Sequence, residues 1–274
     1  MIPAPADIAA SALGVRPEAV VAVEPIKHGL TNQSWRVRTS SEVVVVRLST
    51  ADEDALRIDR ASESRILDAM AAAGVGAPVV RSDPAHHILV TRYLGPAWTF
   101  EEAAHPRNIV RIAALLQRLH TLPPPSFVRE VDLQKTCAGY AATLNACGAA
   151  GELASQTLLR RADELVALLR TGGTRALCHN DVHHLNVVDG GALRLIDWEY
   201  AGLGEPLFDL ASVCVYHRYT RTQRDALLGA YASKRDASVD ARLDAALWLF
   251  EYIRDLWLAV RTYADRDAIP PAQP

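Results

Sequence analysis

From Cys178 the chain reads Cys-His-Asn-Asp-Val-His-His-Leu-Asn, and after a short apolar run it continues Ile-Asp-Trp-Glu, ending at Glu199. Asp181 and Asn186 are five residues apart, and Asp197 follows Asn186 by eleven. One carboxylate beside an attacking hydroxyl, with an amide and a second carboxylate to hold Mg²⁺, is what a protein must supply for phosphoryl transfer. That reaction needs positioning and charge neutralisation more than covalent help. Magnesium takes such hard oxygen donors in preference to sulfur or imidazole. The turn Asp189-Gly190-Gly191 is tight enough to bring Asn186 and Asp197 back to one ion. Asp181 is therefore the expected base, and Asn186 and Asp197, helped by Glu199, are the expected metal ligands. A second reading joins His179, Asp181, His183 and His184 into a transition-metal cluster of a hydrolase. It leaves Asn186 and Asp197 unused, and His179 serves more simply as a buttress of the loop.

The elements that must position these residues follow from patterning. Asp7–Leu13 reads as a short helix. The stretch from Ala19 to Ser49 is rich in β-branched residues and reads as three strands, with Trp35-Arg36-Val37-Arg38 alternating as a half-wet strand does. A helix is expected over Ile58–Ala73 and a fourth strand over His86–Leu94. Gly95-Pro96 then breaks the pattern. Beyond it helices are expected near 108–122, 133–147, 152–169, 206–219, 222–233 and 241–265, with a compact irregular segment over Leu177–Gly204 and a disordered tail from Ile269 to Pro274. The expected organisation is α+β: a β-rich lobe over 1–94 and a larger, mainly helical lobe over 95–274, with ligands in the cleft between them.

Bulk properties remove several function classes. Half of the 274 residues are apolar and 22% are charged, which suits a soluble globular chain. A net charge of −3 offers no footprint for nucleic acid or for an anionic membrane. The four cysteines form no CxxC pair, and the N-terminus carries Asp7 with no basic stretch, so reduced thiols and a cytoplasmic location are expected.

The segment HNDVHHLNVV followed by LRLIDWEYAGLGEPLFDLA resembles the choline/ethanolamine kinase and aminoglycoside phosphotransferase superfamily, which has a protein-kinase-like fold. In motif it is most similar to bacterial choline kinases and thiamine kinases. The resemblance implies ATP and Mg²⁺ as cofactors and transfer of a phosphoryl group to a hydroxyl of a small cationic metabolite. Choline or ethanolamine is the expected type, with thiamine and aminoglycosides as alternatives. It assigns the nucleotide to the turn His28-Gly29-Leu30-Thr31-Asn32, through Gly29, Thr31 and Asn32. Arg47 takes the place of the usual strand lysine and pairs with Glu63, and the backbone of Arg92, Tyr93 and Leu94 reads the base. Asp209 resembles the family's structural aspartate. On the last helix Trp248, Glu251, Tyr252 and Asp255 share one face at helical spacing, where aromatics among acids suit a cation. With Trp257, His183 and Trp198 they are the expected acceptor residues. A binding-only pseudokinase remains the rival, favoured by His28 where the family's turn has glycine.

Overall fold

The structure, a computed structural model, describes residues 3–27, 31–50, 52–126, 128–171, 173, 175–232 and 236–267, with the side chains of 264–267 left aside. In chain order it forms α1 (Pro5–Leu13), β1 (Val20–Ile26), β2 (Asn32–Thr39), β3 (Val43–Ser49), α2 (Glu53–Leu56), α3 (Arg60–Ala72), β4 (Val79–Asp83) and β5 (Ile88–Arg92). Next come α4 (Phe100–Ala104), α5 (Pro106–Thr121), α6 (Leu133–Ala146) and α7 (Gln156–Arg170). The remainder is β6 (Ala176–Cys178), β7 (Val187–Asp189), β8 (Leu193–Leu195), β9 (Gly202–Gly204), α8 (Pro206–Tyr216), α9 (Arg221–Tyr231) and α10 (Ala237–Asp267). The expected tail and the turn residue Gly29 lie outside the described residues. Among the described residues no helix is long and apolar enough to cross a membrane.

The chain divides into two compact units. One comprises Met1–Ala51, Asp59–Thr99 and His184–Glu199, and the other Asp52–Ile58, Phe100–His183 and Tyr200–Pro274. Asn186 and Asp197 therefore belong with the sheet, and Asp181 with the helices.

In the first unit an antiparallel sheet runs in the order β1-β2-β3-β5-β4. Strand alternation sorts its residues. Val44 and Val46 of β3 point inward, fully buried with Val37, Val90 and Ala9 of α1. Val45 and Arg47 consequently project to the opposite face, where both line a cavity. The sequence pattern missed β4, because its Arg81, Ser82 and Asp83 dilute the apolar signal on an edge strand. The helix expected over 58–73 forms as α3, starting two residues later: the chain turns left-handed at Arg57 (φ 59°), and Asp59 caps α3 by accepting the Ser62 N–H at 2.9 Å.

The hairpin β7–β8 pairs Val187 with Leu195 and Asp189 with Leu193. Ile196 N donates to the Asn186 carbonyl at 3.0 Å, so the pairing carries on to the residue before Asp197. The segment after β5 is stitched to this hairpin. Trp98 N donates to the Val187 carbonyl at 2.9 Å, and Ala97 bridges to Val188. Gly190 lies so close to this segment that a Cβ there would meet the Leu94 carbonyl oxygen at 2.0 Å.

In the second unit α10, 31 residues long, packs against α6, α7 and α8. β6 and β9 pair and bring Cys178 opposite Gly202, at the start of the loop that carries Asp181.

Because the atom in the way at Gly190 is backbone, Gly190→Ala is expected to lower stability by about 1–3 kcal/mol. Urea denaturation followed by circular dichroism measures this, and an unchanged midpoint would contradict the close approach.

Candidate active site

The first unit contains a cavity of about 330 Å³. Its walls are apolar, from Val45, Ala77, Leu89, Leu185, Val188 and Ile196, and Asn32, Arg47, Asn186 and Asp197 supply polar groups. An apolar cavity with charge at hand suits a nucleobase joined to phosphates. Arg92, Tyr93 and Leu94 line it. The N–H groups of Arg92 and Tyr93 donate to the carbonyls of Pro78 and Val43 at 2.9 and 3.0 Å, so these two donors are already engaged. Their side chains are engaged too: Arg92 pairs with Glu42, and the Arg36 guanidinium lies 5.4 Å from the Tyr93 ring centroid.

Arg47 grips Glu63 with both terminal nitrogens, each at 2.7 Å, and donates from Nη1 to Asp197 Oδ1 at 2.8 Å. Burial works against the Arg47 charge, but Glu63 and Asp197 outweigh it and raise the pKa above its ordinary value. Burial likewise opposes ionisation of Glu63, and the two arginines beside it bring its carboxyl below the usual range. The expected Arg47–Glu63 pair is thus formed, together with a direct link to Asp197.

Sequence reasoning missed Arg60. Its side chain is only 6% exposed, and its Nη1 donates to Glu63 Oε2 at 2.9 Å and to Glu199 Oε2 at 2.8 Å. Its Nη2 donates to Asn32 Oδ1 at 3.1 Å. The available signal was its place three residues before Glu63, on the same side of α3.

Glu199, expected as a metal ligand, is 3% exposed. Its carboxylate accepts from Thr31 Oγ1 (2.8 Å), Asn32 Nδ2 (2.9 Å) and Arg60. It therefore anchors the start of β2, and the expected nucleotide contacts of Thr31 and Asn32 are made in large part to Glu199. Burial, then the charge of Asp197, pushes the Glu199 carboxyl up to about 7 in spite of Arg47 and Arg60. Two guanidiniums face three carboxylates here, a set short of positive charge. Asp197, with its side chain 30% exposed, and the Asn186 amide are hard oxygen donors that fit a divalent cation. Asp197 takes a left-handed backbone (φ 64°), which aspartate tolerates better than most residues. Trp198, expected at the acceptor, is core: it is 1% exposed, and its Nε1 donates to the Leu195 carbonyl at 3.1 Å.

In the second unit one face of α8 holds the loop that carries Asp181. Asp209, Ser212 and Tyr216 recur at i, i+3 and i+7. Asp209 Oδ2 accepts the His179 N–H at 2.9 Å, and Oδ1 accepts the Asn180 N–H at 2.6 Å. Ser212 Oγ accepts the Val182 N–H at 3.1 Å. Tyr216 Oη donates to Asp181 Oδ1 at 2.8 Å, a contact that sequence reasoning did not find. Behind Asp209, His120 Nε2 lies at 3.0 Å from Oδ2 and Nδ1 at 2.8 Å from Tyr231 Oη. Burial pushes the Asp181 carboxyl up. The charge and hydrogen bond of His183, the Tyr216 hydroxyl and the His179 charge outweigh burial, and its pKa lies below the ordinary carboxylate value.

The four residues of the metal-cluster reading are not gathered as ligands. His179 Nδ1 accepts the Asp181 N–H at 3.3 Å, and His183 Nε2 lies 3.6 Å from Asp181 Oδ2 with its ring 4.8 Å from that of Tyr216. Among the described residues the set of potential ligand atoms within 4.8 Å is His120, Cys178 and Asp209.

The expected acceptor face of α10 is turned elsewhere. Tyr252 is buried and donates to the Leu153 carbonyl at 2.7 Å, Trp248 stacks on it with centroids 5.0 Å apart, and Glu251 is exposed. Asp255 pairs with Arg254 at 3.2 Å. The face toward the loop is set by Phe250, 5.3 Å from the Tyr216 ring, and by Trp257, whose Nε1 donates to Tyr200 Oη at 2.7 Å. The helical period was legible in sequence, but which face meets which neighbour was not.

Residues 22–248 match the phosphotransferase enzyme family (APH), and the chain belongs to that family. It is 35% identical over 157 residues to a thiamine kinase of Salmonella heidelberg (strain SL476), a match covering 56% of this chain and 47% of the relative. The match thus spans about half the length of the curated relatives. Its protein-kinase-like α+β fold is also that of a choline kinase from Streptococcus pneumoniae (20% identity, TM-score 0.75, covering 97% of this chain and 91% of that one). A choline/ethanolamine kinase family protein from Mesorhizobium loti is similar as well (25% identity, TM-score 0.73, covering 95% and 91%).

Two outcomes test these networks. Arg60→Gln leaves two buried carboxylates short of a partner and is expected to cost about 3–5 kcal/mol in urea denaturation. Arg36→Gln, which breaks an exposed pair with Glu24, is expected to cost less than about 1 kcal/mol. Tyr216→Phe removes a donor that favours ionised Asp181, so the Asp181 pKa rises. If Asp181 must be ionised to act, the acidic limb of the kcat/KM profile then moves to higher pH, by roughly one unit.

Proposed function

We propose that the protein is an ATP-dependent phosphotransferase that phosphorylates a hydroxyl of a small molecule. The observation that carries this reading is Arg47, fixed by Glu63 and reaching Asp197 in the wall of the apolar cavity. Its terminal fork is taken by Glu63, and Nε, which has no hydrogen-bond partner among the described residues, remains as a charged donor for a phosphate oxygen. In the first unit Asn186 and Asp197 would hold Mg²⁺, which supplies neutralisation of charge on the transferred group. In the second unit Asp181, kept ionised by Tyr216 and His183, accepts the proton of the acceptor hydroxyl. As it does so the acceptor oxygen bonds to the γ-phosphorus, and the bond from that phosphorus to the departing ADP breaks.

The finer expectation, a cationic amino alcohol of the choline or ethanolamine type, drew on the face of α10 that turns away from the loop. The names of the relatives, thiamine kinase and choline kinase, still put such alcohols in the first panel to assay. The pseudokinase reading loses ground because Asp181, Asn186 and Asp197 are all present and the Arg47–Glu63 pair is formed.

The test is Mg·ATP turnover on choline, ethanolamine, thiamine, homoserine and kanamycin, with Asp197→Ala as blank. Turnover absent in the blank is expected on at least one acceptor. Asp181→Asn is expected to lower turnover by about 10²–10⁴-fold while thermal stabilisation by Mg·ATP is retained. Absence of that stabilisation in the unaltered protein would sink the proposal.

A further inference from the structure

Thr31, Asn32 and Glu199 are expected at the nucleotide and the metal, yet their side chains bond to one another. The Thr31 hydroxyl donates to Glu199 Oε1 at 2.8 Å and accepts from Asn32 Nδ2 at 3.1 Å. The same nitrogen donates to Glu199 Oε2 at 2.9 Å, and Asn32 Oδ1 accepts from Arg60 Nη2 at 3.1 Å. Arg60 Nη1 closes the set on Glu199 Oε2 at 2.8 Å. An amide nitrogen has two hydrogens and a hydroxyl has one. All of them are taken within the set, so neither side chain has a hydrogen left for a phosphate oxygen.

Glu199 is occupied in the same way. Oε1 takes the hydroxyl, Oε2 takes the amide and the guanidinium, and the residue is buried. The cavity wall includes Asn32, Arg47 and Asp197 but not Glu199. A cation that enters from the cavity therefore meets Asp197, a hard oxygen donor with a partly exposed side chain.

The set fixes position. Asn32 opens β2, and the ladder places Ser34 of β2 opposite Arg47 of β3. Thr50 N donates to the Thr31 carbonyl at 3.4 Å, so the chain just past β3 holds the start of β2 from one side. Glu199 holds it from the other. Glu199 stands two residues after Asp197, and Trp198 between them is locked in the core through its indole bond to the Leu195 carbonyl. One short segment thus carries both the proposed cation ligand and the anchor of the cavity wall beside it.

We infer that Glu199 is a positioning residue and not a metal ligand: through Thr31 and Asn32 it fixes the start of β2 on the cavity wall, so that nucleotide affinity depends on Glu199 and cation affinity on Asp197. This rests on the phosphotransferase reading above. Arg60 serves the same end by holding Asn32 and Glu199 together.

The experiment measures Mn²⁺ binding by electron paramagnetic resonance, and ADP binding in Mg²⁺ by calorimetry. It uses the unaltered protein, Asp197→Asn, Glu199→Ala, Glu199→Gln, Asn32→Asp and the double variant Asn32→Asp/Glu199→Gln. Asp197→Asn is expected to weaken Mn²⁺ at least about tenfold. Glu199→Gln weakens it less than about threefold, since the new amide can turn its oxygen to Asn32 and Arg60 and its nitrogen to Thr31. Glu199→Ala weakens ADP about tenfold, the scale of one lost charge-assisted hydrogen bond, and Glu199→Gln recovers most of that loss. Asn32→Asp sets a second carboxylate against Glu199 and weakens ADP by a similar factor. The double variant again faces one carboxylate with one amide and regains affinity, a gain that misfolding cannot imitate. The inference is overturned if Glu199→Gln weakens Mn²⁺ as much as Asp197→Asn does, if Asp197→Asn leaves Mn²⁺ binding unchanged, or if the double variant binds ADP no better than Asn32→Asp. Any of these with ADP bound by the unaltered protein overturns this inference alone. No ADP binding by the unaltered protein overturns the phosphotransferase reading with it.

Discussion

Two arginines buried among three carboxylates tie the first unit together. Arg47 comes from β3, Glu63 and Arg60 from α3, and Asp197 and Glu199 from the segment after β8; Thr31 and Asn32 join through Glu199. Charges in such a place are costly to desolvate, and an apolar set of the same shape is often as stable. What the ions add is geometry. Arg47 can reach Asp197 because Glu63 fixes its fork, and Glu63 can stay ionised against burial because Arg47, and behind it Arg60, favour its charge. Burial, with the surplus carboxylate, makes Glu199 hard to ionise, and Asp197 keeps a partly exposed oxygen set, a condition that a divalent cation would relieve.

The second unit solves a different problem with one helix. The irregular loop that carries Asp181 makes no regular ladder through its own backbone, so its N–H groups need other acceptors. α8 supplies them from a single face, with Asp209 taking two consecutive N–H groups, Ser212 a third, and Tyr216 turning its hydroxyl to the Asp181 carboxylate. Asn180 must then adopt a left-handed backbone (φ 65°), a conformation open to asparagine at modest cost. The loop is thereby fixed by packing on a rigid helix rather than by its own sequence.

This explains what the sequence did and did not disclose. The hairpin that joins Asn186 to Asp197 was legible because local spacing across a tight turn carries it, and the Arg47–Glu63 contact because the family resemblance implied it. β4 was lost because an edge strand need not be apolar. Arg60 and Tyr216 were not legible, since each earns its role only when distant elements meet. The misassigned face of α10 makes the point most sharply. Periodicity put Trp248, Glu251, Tyr252 and Asp255 on one face, but which face of α10 meets the loop depends on where α8 packs, which no helical wheel contains.

The overall charge of −3 conceals a local imbalance. Around Asp197 the first unit sets Arg47 and Arg60 against Glu63, Asp197 and Glu199. A carboxylate without a guanidinium of its own is relieved by a proton or by another cation, and burial with the charge of Asp197 already pushes the Glu199 carboxyl up to about 7. Asp197, whose side chain is 30% exposed where those of Glu63 and Glu199 are 2% and 3%, is the member of the set that a cation from solvent can reach.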